Sequence, residues 1–144
     1  MFSLLAAKDT ACTVYNIDIN PVAAQLCKEN VQINKLKGEV ISLNGDATKV
    51  IEEQLSGKAD RVLMLLPERS DEFLDSALNS LKSNGIIHYY SHIHANRKQD
   101  APRLSEEHFM SVNKTSAQII TSRNVRPIGP RFYQTVVDVK ISKS

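Results

Sequence analysis

Five apolar residues in succession, Val62 to Leu66, stand between Asp60-Arg61 and Pro67-Glu68-Arg69. A run this short, with no polar alternation, reads as a strand buried on both faces, as in parallel sheets covered by helices. Pro67 ends it, because proline has no N–H to give the ladder. In an open α/β sheet, ligands bind outside the carboxyl ends of the strands. Leu65-Leu66-Pro67 is therefore expected to line a site.

The segments on either side follow the same alternation. Phe2 to Lys8 reads as the last turns of a helix. Thr13 to Asp18 is rich in β-branched and aromatic residues and reads as a strand. Asn20-Pro21 then supplies a helix cap and a favoured first helical residue, and Ala23, Leu26, Cys27 and Ile33 are expected to form the buried stripe of that helix. Val40 to Asn44 is the next strand, closed by Gly45-Asp46, and a short helix over about Thr48 to Leu55 leads to the Val62 run. Ser70-Asp71-Glu72 is expected to cap a helix whose face is Phe73, Leu74, Ala77, Leu78 and Leu81, ending at Asn84-Gly85. Ile86 to Tyr90 is a strand and Ser91 to Pro102 reads as a polar loop. A helix follows from Ser105 with Phe109 and Val112. Ala117 to Val125 and Phe132 to Ile141 then read as an antiparallel pair of edge strands joined through Pro127 to Pro130. Strand–helix alternation argues for an α/β fold, a parallel sheet with helices on both faces, here with a terminal antiparallel strand pair.

With 144 residues, 42% apolar and 24% charged, the chain suits a single domain over 1–144. No apolar run is long enough to span a bilayer, and Met1 to Lys8 lacks the basic start of a signal peptide. Two cysteines, Cys12 and Cys27, are too few for a disulfide framework, so a reduced, cytoplasmic setting without membrane attachment is expected. The formal charge of +2 conceals an asymmetry. Residues 1–96 carry nine Lys/Arg against twelve Asp/Glu, and residues 97–144 carry nine against four. A basic C-terminal part is compatible with an anionic partner or with an ordinary solvated surface.

Asp18, at the carboxyl end of a strand, either accepts both ribose hydroxyls of a nucleoside cofactor or, with Asn20, caps the next helix. Asp46, in Asn44-Gly45-Asp46-Ala47, either accepts a hydrogen bond from an adenine amino group or caps the short helix after it. His88, His92 and His94 would share one face if extended, a fair ligand spacing, but no cysteine or acid stands near them in sequence, and no metal is expected. Arg123, Arg126 and Arg131 beside Phe132 and Tyr133 suit phosphate contact and base stacking, or form a solvated hairpin. No G-x-G-x-x-G precedes any helix, which disfavours a nicotinamide oxidoreductase.

Taken together, Asp18-Ile-Asn-Pro21 with Ala24, Asn30 and Asn34, then Gly45-Asp46, Ala59-Asp-Arg-Val-Leu-Met64, Leu66-Pro67, Phe73, Gly85-Ile-Ile-His-Tyr-Tyr90, Arg123-x-Val-Arg126, Pro130 and Asp138 resemble one family. It is the S-adenosylmethionine-dependent tRNA guanosine-37 N1-methyltransferases of archaea and eukaryotes, with their wybutosine-synthesis relatives. The resemblance implies a Rossmann-like class I methyltransferase fold in which one terminal strand returns antiparallel between its neighbours. It implies that S-adenosylmethionine is the cofactor, with Asp18 on its ribose, Ile19 packed on the adenine, and Asp46 with Ala47 at the adenine amino group. Leu66 and Pro67 would shape the pocket where methyl group and guanine meet. Arg126 is the implied contact to the RNA, whose anticodon loop is the implied partner, and Arg131, from the basic cluster beside it, is expected to contribute to a lesser extent.

Two departures from the family pattern matter. Leu65 occupies the place of the family's Asn in Asn-Leu-Pro, and leucine cannot hydrogen-bond a guanine edge. Phe2-Ser3 with Ala6-Ala7-Lys8 looks like the tail of the family's Phe-Ala-Gly-x-Gly-Pro-Phe-Ser segment. On this reading the first strand and Gly-rich loop are lacking, the chain is the C-terminal portion of a catalytic domain, and it is expected to be inactive alone. Three functions stay open: tRNA methyl transfer, aminocarboxypropyl transfer from the same cofactor to a modified guanosine, and RNA or partner binding without turnover.

Overall fold

A computed structural model describes residues 2–143 as two compact units, Met1–Gln54 and Leu55–Ser144. Each holds its own sheet.

In the first unit, α1 (Phe2–Lys8) precedes β1 (Thr13–Asp18), α2 (Pro21–Ile33), β2 (Glu39–Asn44) and a short α3 (Ala47–Val50) that runs into a π-helical turn, Ile51–Leu55. β1 and β2 pair in parallel, Thr13 opposite Glu39 through to Asp18 opposite Asn44, so the two strands end level. Asn20 caps α2 by accepting from the Val22 N–H, and Pro21 takes the first helical place. The core is small: Ala7, Ala24, Val40 and Val50, with Ser42 donating to the Ala24 carbonyl at 2.9 Å. Gly38 permits the close approach of the chain before β1, because a Cβ there would stand 2.5 Å from the Cys12 carbonyl. The expected stripe of α2 is corrected in part. Ala23 and Cys27 lie half-buried beside Ala24, but Leu26 and Ile33 are exposed. At about 100° per residue, Ala24, Cys27 and Val31 form the inward face, and Leu26 and Ile33 fall opposite with Val22.

In the second unit, β3 (Ala59–Met64) leads through a 3₁₀ turn, Pro67–Arg69, into α4 (Ser70–Ser80). There follow β4 (Leu81–His94), α5 (Ala101–Val112), β5 (Ser116–Gly129) and β6 (Phe132–Ser142). The sheet order is β3-β4-β6-β5. β3 and β4 are parallel, and β6 returns antiparallel between β4 and β5, as the resemblance implies. The core lies where α4 and α5 cover one face of this sheet: Leu74, Ala77 and Leu78 from α4 and Phe109 from α5 against Met64, Ile87, Tyr89, Val137, Val139 and Ile141. Phe109 meets Tyr89 edge-on at 5.1 Å.

Four expectations are corrected here. The Val62–Leu66 run is not buried on both faces. Val62 and Met64 face the helices, whereas Leu63 is exposed and Leu65 and Leu66 are 40% and 52% exposed; both helices of this unit cover the same face. Leu81 starts β4 rather than ending α4, and β4 runs on through Ser91 to His94 where a loop was expected. Eleven consecutive pairings with β6, Asn84–Ser142 to His94–Phe132, hold it extended. β6 is an interior strand; only β5 of the terminal pair is an edge. Among the described residues no helix is long and apolar enough to cross a membrane.

Candidate functional site

At the level carboxyl ends of β1 and β2, Asp18 Oδ1 accepts from the Asn20 N–H at 2.9 Å. Asn44 Nδ2 donates to the carbonyls of Asp18 and Ile19 at 3.0 and 3.1 Å, and the Gly45 N–H donates to the Asp18 carbonyl at 3.0 Å. The cap of α2 is Asn20. Asp18 braces that cap through one oxygen, and among the described residues no hydrogen bond reaches its Oδ2. The carboxylate is thus fixed in orientation with one oxygen free, beside Ile19, which is 69% exposed. Asp46 does cap α3: its Oδ1 accepts from the N–H groups of Thr48 and Lys49 at 2.9 and 3.4 Å. Among the described residues no hydrogen bond reaches its Oδ2, which leaves that oxygen for a further donor. Ala47 is the first residue of α3. A nucleoside with vicinal hydroxyls fits this set of acceptors and apolar surface: an oriented carboxylate, an exposed apolar side chain, and a second carboxylate one strand over.

In the second unit, the end of β3 is tied down by a residue whose role sequence reasoning misassigned. Ser70 is buried, and its hydroxyl is shared between the Leu66 carbonyl (3.1 Å) and the Tyr90 carbonyl (2.5 Å) instead of capping α4. This clasp joins the strand-end motif to β4. The Arg69 N–H donates to the Leu66 carbonyl at 2.9 Å, and the Arg69 guanidinium lies 4.6 Å over the Phe73 ring and pairs with Glu72. Leu65 and Leu66 therefore present apolar surface on a braced backbone.

The open face of the sheet carries a polar ladder across all four strands. Arg61 on β3 reaches His88 Nε2 at 2.8 Å, His88 Nδ1 meets Asp138 Oδ1 at 2.5 Å, and Asp138 Oδ2 accepts from Arg123 at 3.0 Å. A guanidinium can only donate, so Nε2 accepts and the Nδ1–H donates to Asp138. His92 and His94 do share the His88 face, but they lie against Phe132, edge-on at 5.6 Å and stacked at 4.0 Å. Among the described residues no group of three His, Cys, Asp or Glu is placed to hold a metal. Neither the Ser70 clasp nor the His88–Asp138 pair has a local signature, since both depend on strand register.

The three arginines are not one free cluster. Arg123 is committed to Asp138, and Arg126 Nε donates to Gln134 at 2.9 Å. Arg131 lies in the two-residue turn between β5 and β6 with φ +55°.

An acid closing β1, a parallel β3–β4 pair and an antiparallel strand inserted before the edge define a class I S-adenosylmethionine-dependent methyltransferase fold. Residues 1–118 match the TRM5/TYW2 methyltransferase domain, and the chain belongs to that family. It is 38% identical over 127 residues to Taw21 of Saccharolobus solfataricus, a tRNA 4-demethylwyosine(37)-methyltransferase, covering 88% of this chain and 45% of the relative. It is 33% identical to Trm5b of Methanocaldococcus jannaschii, a tRNA (guanine(37)-N(1))-methyltransferase, covering 99% of this chain and 40% of the relative. The solved complex of aTrm5 with tRNALeu matches with a TM-score of 0.72 at 31% identity, over 90% of this chain and 35% of that one. The chain thus spans less than half the length of these curated relatives.

Proposed function

We propose that the chain contributes the nucleoside half of the cofactor site and the acceptor-facing strand end of a tRNA methyltransferase acting on N1 of guanosine 37, in the anticodon loop. Its span of the relatives supports treating residues 1–144 as part of that catalytic domain rather than all of it. The observation that carries the reading is Asp18: a carboxylate at a strand end, oriented by the Asn20 N–H, with its second oxygen free.

S-adenosylmethionine supplies a methyl group on a sulfonium, already an excellent leaving group, so the protein's work is mainly placement. Asp18 takes the ribose hydroxyls, Ile19 packs on the adenine, and Asp46 Oδ2, next to Ala47, accepts from the adenine amino group. Leu66 and Pro67 offer a rigid apolar wall to the guanine and keep water from it. Neither they nor Leu65 has a group to take the N1 proton, so the strand end positions the base and proton removal falls to another residue. Arg131, and less directly the Gln134-bound Arg126, meet the RNA backbone.

Leu65 favours a second acceptor. A leucine wall suits the larger, less polar face of a tricyclic base such as the 4-demethylwyosine named for the Taw21 relative. The assay uses labelled S-adenosylmethionine and tRNA carrying G37, A37 or 4-demethylwyosine at 37. It is run on residues 1–144 and on a chimera completed with the rest of the M. jannaschii relative. We expect 1-methylguanosine from the chimera on the G37 tRNA alone, and little product from residues 1–144. Methylation of demethylwyosine instead would select the second acceptor, and transfer of neither kind by the chimera would contradict the proposal.

A further inference from the structure

A cleft of about 300 Å³ opens where β4 ends, lined by His94, Ala95, Asn96, Leu104 and Arg131. We propose that it holds one nucleotide of single-stranded RNA flanking the target base, with Arg131 on its phosphate, the His94–Phe132 stack against its base and the Asn96 amide at the base edge. The inference rests on the reading of the substrate as RNA and adds a second contact point to it.

Three independent observations meet there. The first is the guanidinium. Arg61 is held by His88, Arg69 by Glu72, Arg97 by Asp100, Arg103 by Glu107, Arg123 by Asp138 and Arg126 by Gln134. Among the described residues the Arg131 guanidinium alone has no hydrogen bond or ion pair, and it lines the cleft. The second is the backbone under it: φ +55° at a residue other than glycine, in a turn where glycine or asparagine is the usual occupant. Such conformations in side-chain-bearing residues gather at ligand sites. The turn is pinned to the cleft by the Ala95 N–H, which donates to the Arg131 carbonyl at 3.0 Å. The third is the platform. His94 stacks on Phe132 with centroids 4.0 Å apart and planes 28° apart, and His94 is itself exposed, so a base can continue the stack. Leu104 and buried Ala95 give an apolar floor, and Asn96 is exposed at the rim.

The location suits a flanking nucleotide. Tyr90, whose carbonyl takes the Ser70 hydroxyl, marks the level of the Leu66–Pro67 end, and His94 lies four residues further along β4. At about 3.3 Å per residue this is roughly 13 Å, a span that a single RNA strand bridges. The cleft volume is at the low end of small-molecule sites, about 300–1,000 Å³, enough for a nucleotide and not for a folded helix.

The test is fluorescence anisotropy of a labelled single-stranded RNA heptamer with the wild-type chain, Arg131→Gly, His94→Ala and, as control, Arg103→Gln. Glycine removes the guanidinium but accepts a positive φ, so Arg131→Gly should melt no lower than wild type while binding RNA about tenfold more weakly, with a salt slope reduced by about one. His94→Ala should weaken binding by a similar factor, about tenfold, with the slope unchanged. Arg103→Gln should bind as wild type does. Free guanosine monophosphate should compete only weakly. Equal RNA affinity for wild type and Arg131→Gly, no RNA binding by wild type, or competition by the mononucleotide as strong as by the RNA would each overturn the inference. If only this contact is wrong, the methylation assay still succeeds; if the methyltransferase reading is wrong, that assay fails whatever Arg131 does.

Discussion

Asp18 and Arg131 are the single residues on which the proposed cofactor and RNA contacts rest. One Asp18 oxygen serves the fold, through the Asn20 N–H, and the other is free for a ligand. Asp18→Asn keeps an oxygen for the Asn20 N–H but loses the charge. Hydrogen bonds to a charged group contribute about 1.5–3 kcal/mol each, so adenosine affinity should fall by at least about tenfold with thermal stability nearly unchanged. Isothermal titration beside a melting curve checks both, and unchanged affinity would remove Asp18 from the site. Arg131 keeps a left-handed backbone that costs a side-chain-bearing residue roughly 1–2 kcal/mol relative to glycine. The position of Asp18 at the end of β1 was legible because an acid closing a strand needs only local sequence to be noticed. From sequence Arg126 reads as the stronger RNA contact and Arg131 as the lesser, whereas in the fold Arg126 is the one tied to Gln134. Which guanidinium stays unpaired depends on the bulges between Asn124/Arg126 and Pro127/Gly129 that set what each faces on β6.

At the scale of elements, β4 is the organising piece of the second unit, paired in parallel to β3 on one side and antiparallel to β6 on the other. Its alternation places Ile87, Tyr89 and Ser91 in the core and His88, His92 and His94 on the open face. Phe109, fully buried against Tyr89, is the main contribution of α5 to that core. Phe109→Ala should lower stability by about 3–5 kcal/mol, seen as an earlier urea midpoint with an unchanged slope; a loss under about 1 kcal/mol would mean that α5 is not packed as described. The order and type of nearly every element were readable from periodicity and from Asn20-Pro21, Gly45-Asp46 and Pro67. The errors share a cause. Leu81 continues the apolar spacing of α4 but belongs to β4, and Ser91–His94 looks polar enough for a loop yet is held by pairing to a strand forty residues later. Leu63, Leu65 and Leu66 read as doubly buried because an apolar run does not say how many faces have a helix to cover them.

For the whole molecule, the two units divide in charge as well as in contacts. Residues 1–54 carry five Lys/Arg and seven Asp/Glu, whereas residues 55–144 carry thirteen and nine. The acidic unit holds the Asp18 and Asp46 carboxylates and the basic unit holds the strand end and the Arg131 cleft, as expected if a small cofactor and a polyanion are taken up separately. An amide-resolved NMR titration of the ¹⁵N-labelled chain with adenosine, 2′,3′-dideoxyadenosine and the RNA heptamer tests this division most directly. Adenosine should shift the amides of 18–20 and 45–48 and leave the second unit unmoved. The dideoxy analogue, lacking both ribose hydroxyls, should shift them little or not at all, and the RNA should shift His94, Asn96 and Arg131. Equal responses to adenosine and its dideoxy analogue, or adenosine shifts confined to the second unit, would contradict the account.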